Sequence, residues 1–359
     1  MIRVKTFDEV FIDKTKFGTK VKTDEYHENG KNIIVDQGQK VVAGYTDLED
    51  GIFDDVPVII FGDHTRVVKY IEEPFFLGAD GVKVLSCKLD NANYKYLYYA
   101  LRNAKIPDTG YNRHFKWLKG ICIRYPELEE QERIVTILDK VNLIIEDRKK
   151  ELDKLDDLIK ARFVELFGDC KNMVALNDLC SIITDGTHQP PKFQGEGIPF
   201  IFVSNLVNNT VTYNAEKFIS EETYNELIKR TPIAVGDILL STVGSYGHPA
   251  VVVEERKFLF QRHIAYLKPK QDLVNSFYLH SALLAPDGQR QIEEKVKGIA
   301  QKTLNLSEIR KIMIPIPSIE EQNSFELFIK QTDKSKVAVQ NALDEAQLLF
   351  DSLMQKYFG

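Results

Sequence analysis

Three groups of side chains have the types and spacing that nucleic-acid contacts require. In Tyr111-Asn-Arg-His-Phe-Lys-Trp-Leu-Lys119, cations alternate with aromatic rings. Arg113, Lys116 and Lys119 suit phosphates or a guanine edge, Asn112 offers the paired donor and acceptor that match adenine, and His114 adds a polar contact. The competing reading is an amphipathic surface segment with Phe115, Trp117 and Leu118 buried. The second group is Thr187, His188, Gln189 and Lys192, in the turn-rich stretch Thr184-Asp-Gly-Thr-His-Gln-Pro-Pro-Lys-Phe193. A plain solvent-exposed loop is its alternative. The third is Gln261 and Arg262, followed by His263, beside the glycine turn Val243-Gly-Ser-Tyr-Gly247. Arg262 would serve equally well in a structural ion pair.

Catalytic chemistry finds less support. The seven histidines (27, 64, 114, 188, 248, 263 and 280) are scattered, with no HExxH or comparable metal spacing. No GxxxxGK[ST] phosphate loop occurs. The one Pro-Pro, in Gln189-Pro-Pro-Lys192, lacks the acid or amide and the aromatic ring that an amine-methylating site places around it. Gly244-Ser-Tyr-Gly247 is not a GxSxG nucleophile elbow. A Ser-His-Asp site stays open, since its members need not be adjacent. Cys87, Cys122, Cys170 and Cys180 show neither close pairing nor CxxC spacing, so thiols are expected, without disulfide or metal.

The elements that must position these residues are organised by an internal repeat. Ile121-Cys-Ile-Arg-Tyr-Pro-Glu-Leu-Glu-Glu-Gln131 matches Ile312-Met-Ile-Pro-Ile-Pro-Ser-Ile-Glu-Glu-Gln322 at an offset of 191, and the register holds without a gap to Gly359. Over the 48 aligned positions, 11 are identical. Each copy reads as an apolar strand, a proline (Pro126, Pro317), then an acidic helix start. Leu138, Val141, Ile145, Arg148, Leu152, Leu155, Ile159, Arg162 and Leu166 follow a heptad seam. Ile329, Thr332, Lys336, Val339, Leu343, Ala346, Phe350, Leu353 and Tyr357 repeat it. Two helices of about 40 residues, each about 60 Å long, are predicted. Each stripe is most simply buried against the other. The intervening block leaves one helix and enters the next without bridging their length only if they run antiparallel.

Charge follows the same division. The net charge is -6, yet residues 1–120 carry 18 basic and 18 acidic side chains and residues 169–311 carry 16 of each. The surplus acid lies in 121–168 (9 basic, 12 acidic) and 312–359 (4 basic, 7 acidic), so the globular blocks are neutral and overall acidity does not exclude a polyanionic partner. Val56–Gly62 and Asp237–Gly244 read as buried strands entering glycine turns. Phe75–Val84 and Phe258–Leu267 read as a second strand in each block, and Tyr94–Asn103 and Ser276–Leu284 as helices. The blocks look like diverged versions of one fold. The counterpart of 111–119 in the second copy, Ala300-Gln-Lys-Thr-Leu-Asn305, is likewise polar and contributes Lys302 as a candidate contact. No apolar run reaches the roughly 18 residues a bilayer span requires, so a cytoplasmic, membrane-free protein is expected.

Two variable blocks, each followed by an apolar strand, a proline, a Glu-Glu-Gln turn and a long helix, resemble the specificity subunit of Type I restriction-modification enzymes across essentially the whole chain. Ile121–Gln131 and Ile312–Gln322 look like the entries to that family's spacer helices. Gly110–Lys119, Asp185-Gly-Thr-His-Gln-Pro190 and Ser241-Thr-Val-Gly244 look like parts of its target recognition domains. The resemblance implies an α+β fold: two globular α/β target recognition domains related by pseudo-twofold symmetry, joined by two long antiparallel coiled-coil helices. The expected boundaries are 1–120 for the first recognition domain, 121–170 for its strand and helix, 171–311 for the second domain, and 312–359 for its strand and helix. It implies a non-catalytic chain that reads double-stranded DNA with a bipartite target, without cofactor of its own. S-adenosylmethionine would reside in two partner modification subunits, and restriction subunits would complete the endonuclease. Two other readings stand beside it. A coiled-coil scaffold joining protein-binding modules would show no basic surface on either block, and a self-contained DNA-modifying enzyme would bind S-adenosylmethionine alone.

Overall fold

The computed structural model describes residues 3–78, 80–298 and 302–359. The chain divides into two compact units: unit 1 comprises residues up to Lys149 together with Asn341–Gly359, and unit 2 comprises Lys150–Gln340.

Unit 1 runs β1 (Arg3–Thr6), α1 (Phe7–Val10), β2 (Phe11–Asp13), β3 (Asn32–Val35), β4 (Gly44–Thr46), β5 (Val58–Gly62), β6 (Val68–Ile71), β7 (Phe75–Leu77), β8 (Val82–Cys87), α2 (Tyr94–Arg102), α3 (Phe115–Leu118), β9 (Cys122–Tyr125) and the first part of α4 (Leu128–Phe167). One antiparallel sheet has the order β2-β8-β5-β6; a second has the order β4-β3-β7, with β3 and β7 parallel. β1 pairs antiparallel with β9, Arg3 opposite Tyr125 and Thr6 opposite Cys122.

Unit 2 repeats that plan. It holds β10 (Met173–Ala175), α5 (Leu176–Leu179), β11 (Cys180–Asp185), β12 (Ile198–Ile201), the hairpin β13 (Leu206–Val207) and β14 (Thr210–Val211), β15 (Phe218–Ile219), α6 (Glu221–Leu227), β16 (Ile238–Ser241), β17 (Pro249–Val251), β18 (Leu259–Phe260), β19 (Ile264–Pro269), α7 (Ser276–Leu284), α8 (Pro286–Lys295), α9 (Leu306–Ile309), β20 (Met313–Pro315) and the start of α10 (Ile319–Phe358). Its sheets are β11-β19-β16-β17 and β15-β12-β18, with β12 and β18 parallel, and β10 pairs with β20. The hairpin, α6 and α8 are additions without counterpart in unit 1.

Each expected second strand is in fact two strands in different sheets. The break is written in the sequence as Gly78-Ala-Asp-Gly81 in the first block and Gln261-Arg-His263 in the second. Between β7 and β8 the chain turns at Gly81, whose φ of +96° favours glycine. Between β18 and β19 it turns through Gln261, Arg262 and His263.

α4 and α10 are each 40 residues long. Within unit 1, Leu138, Val141 and Ile145 of α4 share a core with Phe350 and Met354 of α10. Within unit 2, Phe163 and Phe167 share one with Phe325 and Ile329. The start of α4 thus lies with the end of α10 and the reverse, so the pair is antiparallel. The seam departs from strict heptads near the end of α4, where Phe163 and Phe167 are buried and Leu166 is 46% exposed. A straight helix drifts about 20° per heptad against a 3.5-residue repeat, so four heptads move the buried face by nearly one residue. The same shift buries Met354 in α10, next to the expected Leu353.

Gln131 and Gln322, the last residues of the two Glu-Glu-Gln turns, are fully buried. Gln131 Oε1 accepts from Asn93 N at 3.0 Å, and its Nε2 donates to the Pro126 carbonyl at 2.9 Å. Gln322 does the same for Asn275 N at 2.9 Å and the Pro317 carbonyl at 3.1 Å. Asn93 and Asn275 in turn cap α2 and α7 with their side chains. One buried glutamine per unit therefore ties the long helix to the globular block. No described helix is long and apolar enough to cross a membrane.

Candidate nucleic-acid interface

In both units the segment before the repeat strand is pinned to the end of a central strand. In unit 1, His114 N donates to the Asp63 carbonyl at 2.7 Å and Phe115 N to Asp63 Oδ1 at 2.7 Å, just past β5. In unit 2, Leu304 N donates to the Thr242 carbonyl at 2.9 Å, just past β16. These bonds fix where the candidate side chains emerge.

On unit 1, Asn112, Arg113, Lys116 and Lys119 are exposed. Among the described residues no carboxylate lies within 4.0 Å of the three cations. The Lys116 ammonium lies 5.0 Å from the Trp117 ring, and that of Lys119 lies 5.2 Å from the Phe115 ring, which orients both without neutralising them. Asn112 Nδ2 donates one N–H to the Thr109 carbonyl at 2.5 Å, which leaves its second N–H and Oδ1 for a two-handed match to adenine. His114 departs from expectation. Only 1% exposed, its ring faces inward with Nδ1 3.1 Å from the Asp63 carbonyl and Nε2 3.3 Å from Thr109 Oγ1. It braces the loop and offers nothing to a ligand. Trp117, placed inside by the amphipathic reading, is 42% exposed, whereas Phe115 and Leu118 are buried.

On unit 2 the fold brings two groups of candidates together that lie far apart in sequence. Thr187 forms a parallel bridge with Gln261, its N donating to the Phe260 carbonyl at 2.9 Å and its carbonyl accepting from Arg262 N at 3.1 Å. Gly186 makes this approach possible, since a Cβ there would sit 2.2 Å from the Phe260 carbonyl oxygen and 2.5 Å from that of Gln261. Thr187, His188, Gln189 and Lys192 line a cleft of about 540 Å³ whose opposite side carries Lys229 and Arg230. Arg262 and His263 line an adjoining cleft of about 300 Å³.

Asp185, which touches the second cleft, holds His188 Nε2 at 2.8 Å and the Arg230 guanidinium at 2.6 Å. The Arg262 side chain has no carboxylate within 4.0 Å among the described residues; its Nε lies 3.3 Å from His263 Nε2. Burial and that neighbouring charge hold the His263 pKa below the ordinary histidine value.

Lys302 is exposed but engaged, its ammonium 3.0 Å from Glu293 Oε1 and 5.7 Å from the Tyr246 ring. Its hydrogen bonds to Glu293 and Tyr246 raise its pKa. Ala300 and Gln301 of the same stretch lie outside the described residues.

Sequence reasoning missed the far wall of the larger cleft. The adjacent cations Lys229-Arg230 after α6 were its only signal. It also passed over His64, which lies under Tyr111 with ring centroids 4.7 Å apart and planes within 10°. Nothing local in sequence links residues 64 and 111. The described residues contain no group of three or more His, Cys, Asp or Glu placed to hold a metal ion.

The chain is 25% identical over 349 residues to the Type I restriction enzyme EcoBI specificity subunit of Escherichia coli, covering 85% of this chain and 73% of that protein. It is 24% identical over 326 residues to the EcoR124I/EcoR124II specificity subunit of the same organism, covering 84% and 79%. In fold it is similar to the crystal structure of a Type I restriction-modification S subunit from M. genitalium, with a TM-score of 0.55 and 17% identity over 100% of this chain and 96% of that one. The family model for the Type I restriction modification DNA specificity domain matches twice, over residues 2–155 and 169–346, one match to each half of the repeat. Those matches span most of its length, and the chain belongs to the family of the Type I restriction modification DNA specificity domain.

Proposed function

We propose that this chain is the sequence-specific DNA-recognition subunit of a Type I restriction-modification complex and performs no chemistry of its own. Residues 1–120 and 171–311 act as the two target recognition domains, each reading one half of a bipartite duplex site. The strands and helices of 121–170 and 312–359 join them and set the gap between the halves. The observation that carries this reading is the duplication: two copies of one sheet plan, tied to their long helices by equivalent glutamines, present different loops at equivalent places. A constant frame with variable loops suits two readers of different sequences.

Arg113, Lys116 and Lys119 on unit 1, and Lys192 and Arg262 on unit 2, supply charge with no carboxylate within 4.0 Å among the described residues. Asn112, Thr187, Gln189 and Gln261 supply neutral donors and acceptors, and Asp185 presents His188 in a fixed orientation. The neutral balance of both blocks fits a complex in which partner subunits provide much of the phosphate grip. Two modification subunits carrying S-adenosylmethionine would methylate adenine where this chain places them, and restriction subunits would complete the endonuclease.

The test is a map of adenine methylation in cells that express the chain with its modification subunit, against cells lacking the chain. A split motif with a fixed gap, present only with the chain, is the expected result. An unchanged map with both proteins soluble would remove the proposal.

A further inference from the structure

We propose that Tyr111 and His64 form a two-ring reading element for the half-site taken by unit 1. On DNA binding the Tyr111 ring leaves His64 and packs against a base, and the uncovered imidazole hydrogen-bonds the DNA. The inference rests on the recognition function proposed above and assigns residues to it.

Tyr111 is 86% exposed, so it gains little from burial, and among the described residues its hydroxyl has no hydrogen-bond partner. It is held by the stack on His64. Beneath it, His64 Nδ1 is buried without a hydrogen-bond partner. A buried polar atom without a partner is unfavourable, so this imidazole carries an unused hydrogen-bonding capacity that a ligand could satisfy.

The surrounding geometry holds one ring and frees the other. His64 is fixed from below: its backbone N donates to Gln37 Oε1 at 3.1 Å, and a Cβ on Gly81 would lie 2.9 Å from its Cδ2. Tyr111 sits in a loop anchored only at its ends. Asp108 pairs with Arg66 at 2.8 Å and accepts from Gly110 N at 3.0 Å, and His114 N is bound to the Asp63 carbonyl. Between them, Gly110 has a φ of +73° and nothing within 4 Å of an added Cβ. Arg113, two residues on, adds a cation with no carboxylate within 4.0 Å among the described residues; its charge reaches Asp80 and helps hold that carboxyl's pKa down.

Unit 2 repeats the placement with other chemistry. The 191-residue offset carries Tyr111 onto Lys302, which lies over the ring of Tyr246 in the loop after β16. In both units, then, this position covers a ring on the loop beyond the central strand, and its identity differs between halves as a sequence-reading element's should. Aromatic rings meet bases by stacking or by contact with a thymine methyl, while an imidazole meets a base edge by hydrogen bonding.

The experiment uses the full chain with its modification subunit in cells. Adenine methylation is mapped for the unmodified chain and for Tyr111→Ala, His64→Ala, the double variant and Tyr111→Phe, with thermal unfolding of each purified chain. Tyr111→Ala and His64→Ala should relax the same position in one half of the motif and lower methylation of the original site about tenfold or more. The other half should be unchanged, the double variant should be no worse than the more severe single, and Tyr111→Phe should keep the motif. A split motif that both alanine variants leave intact overturns this inference and leaves the recognition function standing. Uniform loss at all sites with a lowered Tm overturns it too, by assigning the pair a structural role. Absence of any split motif with the unmodified chain removes the recognition function itself.

Discussion

Where the repeat strand meets its long helix, units 1 and 2 use the same atoms: Gln131 and Gln322 each accept from the cap residue of the following helix partner, Asn93 or Asn275, and donate to a proline carbonyl. On the loop side the backbone anchor past the central strand is kept, but the side chains it presents differ. Unit 1 shows exposed cations on α3 and a tyrosine stacked on histidine, whereas unit 2 builds a cleft from the 185–192 loop and a basic wall after α6. A buried glutamine with both ends occupied cannot change without stranding polar atoms, so that junction stays fixed. An exposed loop residue leaves no such debt behind, and these positions are where the two copies have diverged.

The comparison breaks most visibly in the cores beside the helices. Phe163 packs against Phe167, Tyr278 and Phe325, and its replacement by alanine should destabilise unit 2 by about 3–5 kcal/mol in urea titrations. Leu166→Ala, on the strict heptad but largely exposed, should cost under about 0.5 kcal/mol. The reverse order would restore the heptad seam. Next come the junctions themselves. Gln131→Ala and Gln322→Ala should each cost about 1–3 kcal/mol, by stranding Asn93 N or Asn275 N. A clear loss from one and none from the other would break the equivalence of the two copies.

The sequence carried the frame because that frame is duplicated and periodic: the offset of 191 aligned two helices that the structure starts and ends at matched positions. Both central strands were visible as apolar runs entering glycine turns, and the helices α2 and α7 as helical stretches beyond them; their asparagine caps emerged only from the structure. The paired strands β7–β8 and β18–β19 read as single strands in the sequence, although Gly78-Ala-Asp-Gly81 and Gln261-Arg-His263 mark the breaks; that the two members join different sheets is a long-range fact no local segment carries. The interface was legible as residue types but not as neighbours. Thr187 and Gln261 meet only because Gly186 lets two backbones touch, and His114 looks like a contact in the string yet points inward.

At the reading face, Arg262→Ala should weaken binding to the cognate duplex by about 1–3 kcal/mol and relax only the half-site taken by unit 2, measured by methylation mapping and direct titration. If both halves weakened equally, and the salt dependence fell by about one unit of slope, Arg262 would be a phosphate contact and carry no sequence information.

The smallest effect is expected from Lys302→Ala. Its ammonium is paired to Glu293 at the protein surface, and exposed pairs of this kind contribute about 0–1 kcal/mol to stability. Binding DNA through Lys302 would mean separating it from a carboxylate that would then face the phosphates, so the gain from the new contact is offset by repulsion from the old partner. Lys116 has no such partner among the described residues, and its cation is available without rearrangement. In titrations at low and moderate salt, Lys116→Ala should lower affinity and flatten the salt dependence, whereas Lys302→Ala should leave both nearly unchanged. Equal effects from the two would show that the Glu293 pair opens on the duplex, and would bring the two halves closer in how they hold DNA.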